Sequence, residues 1–332
     1  MEFRSFADVD KLIASLPQID DTTREKACAR QDSLTKPPGS LGRLEEMAAF
    51  MAGWRATPRP VIKKAQALVF AGNHGVCAQG VNPYPQEVTA QMVLNFQHGG
   101  AAINQLCRTV GADLRVVPIL LDKPTGDFTQ GPSMSEEETL AAMGMGATAV
   151  DADADVLILG EMGIGNSTVA AALAAAFFGG KPEDWVGPGT GSDAAGIARK
   201  CAAVERGLAL HRGRDAFETL SRLGGREQAA ICGSVLAARA LRIPVILDGF
   251  ICTAAASTLH VAHRSLLDHC LVGHVSAEPG HRRLLNELGK QPILELDMRL
   301  GEGSGAALAL GVLRAALDCH NGMATFAEAG IG

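Results

Sequence analysis

The chain has 332 residues, of which 47% are apolar and 20% charged, and its formal net charge is -6 at pH 7. This length is sufficient for a large hydrophobic core, in one domain or in a large domain and a small one. No basic run and no stripe of Arg and Lys with aromatic residues is present, so we expect no nucleic-acid partner. No uncharged apolar run reaches about 18 residues, so we expect no membrane span.

The glycine and cysteine contents narrow the class of protein further. Glycine is abundant, at 38 residues, and aromatic residues make up 4% of the chain, which suits an α/β enzyme whose loops approach a ligand closely. The eight cysteines are scattered without a C-x-x-C pair, so we predict reduced and mostly buried thiols. Because the N-terminus also lacks a signal-peptide pattern, the sequence predicts a cytoplasmic protein.

Residues 1–60 are predicted to be mostly helical. A charged helix over Arg24–Arg30 precedes a second helix over Leu41–Trp54, whose apolar residues recur at helical spacing. The segment Pro37-Pro38-Gly39 separates the two helices, and Ser40 is a candidate N-cap for the second.

From about residue 64, short apolar runs alternate with helical segments. The predicted strands are Gln66–Ala71, Leu114–Leu120, Val156–Gly160, Pro244–Asp248, Cys270–Val275 and Pro292–Asp297. The predicted helices are Glu87–Leu106, Glu136–Val150, Thr168–Phe178, Gly196–Leu208, Glu227–Arg239, Ala254–His263 and Ala306–Leu317. This alternation predicts an α/β fold with a parallel sheet that helices cover on both faces.

Five glycine-rich or polar segments follow predicted strands. They are Ala71–Gly75, Gly160–Thr168, Asp248–Phe250, Gly273–Ser276 and Arg299–Gly305. Ligands of open parallel sheets bind at the carboxyl ends of the strands. The sequence therefore predicts that these segments form one site at a single edge of the sheet.

Glu302 stands between Gly301 and Gly303, after a predicted strand and before a predicted helix. It either matches the dipole of that helix or serves as an accessible carboxylate in an active site. The sequence contains no G-x-S-x-G motif and no cysteine in an activating pattern, so it offers no covalent nucleophile. Glu302 and Glu161 are therefore the candidate acid–base groups, although Glu161 could instead pair with loop N–H groups or orient a substrate.

The segment from Gly163 to Thr168 leads directly into a predicted helix, and it matches neither the G-x-G-x-x-G nor the Walker A pattern. It could bind a phosphate through N–H groups and the helix dipole, or it could be a tight turn with Asn166 or Ser167 as N-cap. A second glycine loop, 187–191, precedes a helix that carries Lys200. Lys200 either complements a phosphate or carboxylate or lies on the surface.

We predict no metal site. Asp151, Asp153 and Asp155 alternate before a strand but have no histidine at ligand spacing. Five histidines between positions 260 and 281 have no accompanying set of acidic or thiol ligands. His74 could contact a ligand or satisfy a loop carbonyl group.

Five segments resemble, in the same order, those of the nicotinate-nucleotide–dimethylbenzimidazole phosphoribosyltransferase family: Lys36–Glu45, Gly160–Thr168, Leu247–Phe250, Ser276–Glu278 and Met298–Gly305. The resemblance runs from about residue 20 to the end of the chain. It implies transfer of phosphoribose from nicotinate mononucleotide to 5,6-dimethylbenzimidazole, with inversion and without a cofactor. The products would be α-ribazole 5′-phosphate and nicotinate, in cobalamin biosynthesis.

The resemblance also implies the architecture. It implies a Rossmann-like, mainly parallel sheet domain, here 61–305, which carries the active site. A small helical domain would comprise 1–60 and be completed by about 306–332. The resemblance further implies a homodimer.

When the roles of family residues are transferred through the matching motifs, the resemblance implies that Glu302 is the catalytic base and that Glu161 and Lys200 are its partners in the site. It implies that the substrate-binding residues include Gly163, Gly165, Asn166, Ser167, Gly187, Gly189, Asp248, Ser276, Arg299, Leu300 and Gly301. Tyr84 and Met92 fall where family members line the pocket for the benzimidazole-type base. In the enterobacterial pattern those two positions are Ser and Gln, and the position of Asn73 is Asp.

Two other functions stay open on the sequence. A non-catalytic protein could bind an azole or its riboside on the same fold, although such a protein has no need of the Glu302 motif. A conventional phosphoribosyltransferase could use pyrophosphorylated ribose and Mg²⁺. That class usually has two adjacent acidic residues after an apolar strand, whereas Asp248 stands alone before Gly249.

Overall fold

The structure, a computed structural model, describes residues 3–331. Its strands are β1 Ala65–Ala71, β2 Ala112–Pro118, β3 Val156–Met162, β4 Val245–Leu247, β5 Cys270–His274 and β6 Pro292–Leu294. Its α-helices are α1 Phe6–Ser15, α2 Asp21–Ser33, α3 Arg43–Arg55, α4 Glu87–Gln97, α5 Ala102–Val110, α6 Glu136–Ala149, α7 Asn166–Phe178, α8 Ala194–Leu210, α9 Ala216–Leu223, α10 Arg226–Ala240, α11 Phe250–Ala262, α12 Pro279–Leu288, α13 Ser304–Gly322 and α14 Phe326–Ala329. The six predicted strands are all present, and the predicted α/β class is confirmed.

The six strands form one sheet in the order β2-β1-β3-β4-β5-β6, and every neighbouring pair is parallel. This arrangement confirms the predicted Rossmann-like sheet. In the sheet, β2 lies on one side of β1, and β3 and all later strands lie on the other side. The topological switch point is therefore between β1 and β3. In folds of this kind the ligand crevice lies at the switch point, outside the carboxyl ends of the strands.

The central strands are apolar on both faces, and both faces are covered. All seven residues of β1 are buried. Leu68 and Phe70 pack into the hydrophobic cluster on one side of the sheet, and Ala67 and Val69 into the cluster on the other. Such continuous apolar runs are typical of parallel strands covered by helices on both faces.

Helices fill the two layers beside the sheet. On one face, α10 packs against β1 and β3, and α6 and α11 pack against α10. On the other face, α13 packs against β3 to β6, and α3 and α5 pack against α13. Because α13 begins directly after the Glu302 segment, its packing fixes the direction in which that segment leaves the sheet.

The two ends of the chain lie together. The guanidinium group of Arg30 donates hydrogen bonds to the carbonyl oxygens of His320 and Met323, and Leu34 forms an isolated antiparallel bridge with Thr325. The division of the chain into two domains stays a prediction, because α13 is also part of the layer that covers the sheet.

Three local predictions are wrong. The segment Glu87–Leu106 is not one helix, because α4 and α5 are separated at Gly99, which has φ of 78°, and Gly100. Ser40 does not cap α3, whose N-cap is Gly42 with φ of 52°. The eight thiols are all free, but only four of them are buried. Among the helices of residues 3–331, none has the length and apolar composition that a membrane-spanning helix requires.

Two glycines allow α6 and α10 to touch through their backbones. A Cβ atom on Gly146 would overlap the carbonyl group of Ala230, and one on Gly233 would overlap that of Met143. Glycine in a helix interior costs about 0.5–1 kcal/mol relative to alanine. The close crossing therefore depends on residues that are otherwise unfavourable in a helix.

We predict that Gly146→Ala lowers the free energy of unfolding by about 1–3 kcal/mol, because the added methyl group forces the two helices apart. Gly311→Ala in α13 is the matched control, since its Cβ would meet only Val110 Cγ1 at 3.7 Å. That control should be neutral or stabilising by about 0.5–1 kcal/mol. Urea unfolding measures both, and similar effects of the two substitutions would contradict the packing argument.

Candidate active site

A cavity opens at the carboxyl edge of the sheet, beside the switch point between β1 and β3. Its walls come from segments after β1, β3, β4 and β5 and from the segment before α13. Twelve of the predicted site residues line it: Tyr84, Glu161, Gly163, Gly165, Asn166, Ser167, Gly189, Lys200, Ser276, Arg299, Leu300 and Gly301. Four of the five segments that were predicted to meet therefore contribute to this cavity; the segment 71–75 does not line it.

Four predicted site residues lie off the cavity wall. Met92 packs against the hydrophobic core, because α4 turns it to the same side as Phe96, four residues further on. Gly187 lies behind Lys200, whose Nζ donates to its carbonyl oxygen. Asp248 is fully buried, and Glu302 is 5% exposed, directly after the cavity-lining residue Gly301.

Glu161 occupies the carboxyl end of β3 and is buried. Its Oε2 accepts a hydrogen bond from the side-chain amide of Asn166. Its Oε1 lies 2.6 Å from the place where a Cβ atom on Gly301 would stand. Glycine at position 301 is therefore needed for this carboxyl group to lie beside the Glu302 segment.

The surroundings of Glu161 favour its protonated form. Burial raises the pKa of Glu161 to about 8, and the negative charges of Asp248, Glu227 and Glu302 contribute to the rise. Like charges in a low-dielectric site cannot all ionise. Glu161 is therefore mostly neutral at pH 7.

Glu302 is held in a left-handed backbone conformation with φ of 64°. Its N–H donates to the carbonyl oxygen of Glu161, at 3.2 Å. Burial raises the pKa of Glu302 to about 6, the N–H of Ile103 at the start of α5 opposes the rise, and the charge of Asp248 adds to it. Its Oε2 is buried without a hydrogen-bond partner. At neutral pH this carboxylate is ionised and has an unused acceptor atom.

The segment from Gly163 to Thr168 turns into α7 without a side-chain cap. The N-cap is Gly165, with φ of 93°, so neither Asn166 nor Ser167 fills that role. A Cβ atom on Gly165 would lie 2.7 Å from the Sγ of Cys77. The first turn of α7 therefore presents a helix N-terminus that can bind an anion.

Two cations flank the same side of the cavity. Lys200 is 3% exposed, so it is not a surface lysine. Its Nζ lies 3.3 Å from Ser167 Oγ and 3.2 Å from the carbonyl oxygen of Gly187. Burial lowers the pKa of Lys200, and the charge of Glu278 opposes that change. Arg299 donates to the carbonyl oxygen of Gly189 at 3.0 Å.

Two further titratable residues line the cavity, Glu278 and His274, which were not among the predicted site residues although both lie in segments that the sequence singles out. Glu278 Oε1 accepts from the N–H of Gly189 at 2.8 Å, while Oε2 is buried without a partner. Burial raises the pKa of Glu278. Both residues lie at or just after the carboxyl end of β5, and this position in the sequence could have identified them as candidate site residues.

His74 lies against a buried carboxylate, a contact that neither of its two predicted roles included. Its Nε2 lies 3.1 Å from Glu227 Oε1, and both side chains are fully buried. His74 is also absent from the cavity wall. The pair joins the end of β1 to the start of α10 beneath the site.

No group of three or more His, Cys, Asp or Glu side chains within residues 3–331 is arranged to hold a metal ion. The alternating aspartates serve elsewhere. Asp151 pairs with Lys64 at 2.5 Å and Asp155 with Arg55 at 3.0 Å.

Comparison with known proteins gives the family. A family model described as phosphoribosyltransferase matches residues 16–331. The nicotinate-nucleotide–dimethylbenzimidazole phosphoribosyltransferase of Rhodobacter capsulatus is 67% identical over 331 residues, which cover 100% of this chain and 99% of the relative. The enzyme of the same name from Roseobacter denitrificans is 58% identical over 330 residues, covering 99% and 98%. This chain belongs to that family.

Solved structures agree with this assignment. The crystal structure of CobT from Thermus thermophilus superimposes with a TM-score of 0.88 at 42% identity, covering 94% of this chain and 99% of that one. The predicted resemblance is thus confirmed, and the protein is a phosphoribosyltransferase of this family. The family assignment decides against the non-catalytic binding protein.

We predict that Glu161→Gln becomes more stable relative to the wild type as the pH rises. Between its ordinary pKa of about 4.5 and its pKa of about 8 in the folded protein, Glu161 keeps a proton that the unfolded chain releases. Wild-type stability therefore falls by about 1.4 kcal/mol per pH unit through this residue. The variant has no carboxyl group at this position, so its stability does not fall with pH in this way.

Urea unfolding between pH 5 and pH 8.5 measures the difference between variant and wild type. Glu295→Gln is the control, because its side chain is exposed in an ion pair with Arg282. A difference for Glu161→Gln that does not change with pH would show that Glu161 titrates normally.

Proposed function

We propose that this protein moves the phosphoribosyl group of nicotinate mononucleotide to 5,6-dimethylbenzimidazole, with inversion at C1′ and Glu302 as general base. The curated relatives carry both substrates in their name. The observation that carries the catalytic proposal is Glu302 itself: a buried carboxylate with a pKa of about 6 and an unpartnered Oε2. A base with a pKa just below the working pH suits proton abstraction.

The reaction requires one displacement. A ring nitrogen of dimethylbenzimidazole attacks C1′ of the ribose on the face opposite nicotinate, and the β configuration becomes α. The bond between C1′ and the pyridinium nitrogen breaks, and its electron pair neutralises the positive charge of that ring. The proton on the second nitrogen of the benzimidazole passes to the Glu302 carboxylate. The products are α-ribazole 5′-phosphate and nicotinate.

This chemistry needs neither a covalent intermediate nor a general acid. Nicotinate leaves as a neutral pyridine ring, so its nitrogen takes no proton. General-base assistance is worth roughly 10²- to 10⁴-fold. Holding both substrates in line contributes more, because it makes a bimolecular step effectively unimolecular.

The phosphate of the mononucleotide would bind at the cationic side of the cavity. The N-terminus of α7 and the ammonium group of Lys200 lie together there. Lys200 Nζ is 3.3 Å from the Oγ of Ser167, which belongs to the first turn of α7. Arg299 lines the same cavity and is tied to Gly189. The buried ammonium group of Lys200 and the exposed guanidinium group of Arg299, beside a helix N-terminus, form a favourable phosphate site.

The aromatic base would bind near Tyr84, Met162 and Leu300, which line the cavity. Tyr84 and Leu300 are each about half exposed in the free protein, so a flat apolar ring could cover them. The homodimer and the cytoplasmic location stay predictions.

We predict that Glu302→Gln lowers kcat by roughly 10²- to 10⁴-fold, because the amide cannot take the benzimidazole proton. The KM for nicotinate mononucleotide should change by less than about threefold, since the mononucleotide side of the site is intact. Nicotinate release in EDTA, with and without dimethylbenzimidazole, measures both constants. Near wild-type turnover would remove Glu302 from the role of base, and Glu295→Gln is the surface control.

The pH dependence gives an independent prediction. Because the base must be ionised, wild-type kcat/KM should fall below about pH 6, the pKa of Glu302. A glutamate with an ordinary pKa would place this fall near pH 4.5. Measurement between pH 4.5 and pH 9 distinguishes the two.

We predict that Lys200→Met removes the preference for the 5′-phosphate. The wild type should use nicotinate mononucleotide far better than nicotinate riboside, which lacks the phosphate. In the variant, kcat/KM for the mononucleotide should fall by at least about 100-fold, as expected for a lost buried charge-assisted contact, while that for the riboside changes little. Equal losses for the two substrates would place Lys200 at the reacting centre instead.

A further inference from the structure

The loop that carries Glu302 has a strained backbone. Gly301, Glu302 and Gly303 have φ of 83°, 64° and 84° in succession. This conformation is unfavourable for a residue that has a Cβ atom, and it persists only where the surroundings hold it. The position of the Glu302 carboxylate therefore depends on whatever fixes this loop.

Asp248 supplies two of the contacts that fix the loop. Its Oδ2 accepts from the N–H of Gly303 at 3.1 Å, and its Oδ1 accepts from the N–H of Ala306 at 3.0 Å. Asp248 is 0% exposed and follows the last residue of β4. One rigid strand end thus holds both the loop and the first turn of α13 through a single carboxylate.

His274 supports Asp248 from the end of β5. Its Nε2 lies 3.5 Å from Asp248 Oδ1. A Cβ atom on Gly305 would overlap the His274 ring, and one on Gly249 would lie 3.0 Å from its Nε2. The imidazole therefore occupies the space that side chains at positions 249 and 305 would need, and it lies between these two segments.

We propose that Asp248, backed by His274, is a positioning residue that holds Glu302 in its reactive place and does not itself bind substrate. This inference rests on the proposed role of Glu302 as base. It replaces the sequence-based prediction that Asp248 binds substrate, and it agrees with the absence of Asp248 from the cavity wall.

The charge of Asp248 has a second effect, on proton affinity. Burial raises the pKa of Asp248 itself, and His274 and the N–H groups of Ala306 and Gly303 oppose that rise. In its ionised form Asp248 raises the pKa of Glu302, in the same direction as burial and against the N–H of Ile103. The other charged or titratable groups around Glu302 are Glu161 on β3 and, beyond Asp248, His274 on β5. Removing the charge of Asp248 therefore lowers the pKa of Glu302 and moves the acid limb of the activity profile to lower pH.

The test is Asp248→Asn, measured as kcat, KM and pH profile. We expect kcat to fall by about 10- to 100-fold, as for a modest misplacement of a catalytic group. The KM for nicotinate mononucleotide should stay within about threefold, and the acid limb should move to lower pH. Asp215→Asn is the matched control, because Asp215 also accepts a helix N-terminal N–H, from Glu218, away from the cavity. It should alter only stability.

A folded Asp248→Asn with wild-type kcat and acid limb would overturn the proposal. The proposal would also be overturned if calorimetry showed that Asp248→Asn loses mononucleotide affinity together with kcat, because Asp248 would then contact the substrate. If Asp248→Asn does not fold, His274→Gln is measured in its place, since it leaves both backbone hydrogen bonds of Asp248 intact. Reduced kcat with unchanged KM then supports the proposal, and wild-type kcat and pH profile overturn it.

Failure of the proposed function has a different signature. The wild-type protein would then release no nicotinate in the presence of dimethylbenzimidazole, or Glu302→Gln would keep wild-type turnover. Neither result depends on Asp248.

Discussion

Burial of carboxyl groups, with repulsion between them as a smaller contribution, governs the chemistry at the carboxyl edge of this sheet. Glu161, Glu227, Asp248 and Glu302 are all buried there. Glu227 and Asp248 each have a histidine nearby, at 3.1 Å and 3.5 Å respectively, whereas no ion pair within residues 3–331 involves Glu161 or Glu302. The pKa of Glu161 rises to about 8 and that of Glu302 only to about 6. At neutral pH one group thus keeps a proton and the other is ionised, which is how one site can hold two carboxyl groups in different roles.

The fold creates this arrangement, because parallel strands end at one edge. The ends of β3 and β4 bring Glu161 and Asp248 beneath the Glu302 loop, and α13 anchors that loop from the far side. Lys200 and Arg299 lie in the same cavity. At the sheet edge the cavity wall carries Glu161, which is mostly protonated at pH 7, and the ionised Glu302 directly follows the wall residue Gly301. The cations lie beside the start of α7, so the two sides of the cavity differ in charge.

The sequence predicts the strands and the meeting of their loops because both follow from local patterns: apolar runs, helical periodicity and glycines after strands. Features that depend on distant residues were not predictable in this way. Asp248 hydrogen-bonds to Gly303 and Ala306, and His74 pairs with Glu227, and no local pattern indicates either contact. Met92 does not line the cavity, and the direction of its side chain depends on how α4 is oriented, which no local pattern gives. The break between α4 and α5 differs from these features, because the local pair Gly99-Gly100 does indicate it in the sequence.

In the free protein at neutral pH, Glu302 should be ionised and Glu161 protonated. Titration of the carboxyl carbons by NMR, on protein labelled with ¹³C in glutamate, tests it directly, with Glu302→Gln and Glu161→Gln as assignments. We expect a transition near pH 6 that disappears in Glu302→Gln and one near pH 8 that disappears in Glu161→Gln. Transitions of both groups near pH 4.5 would contradict it.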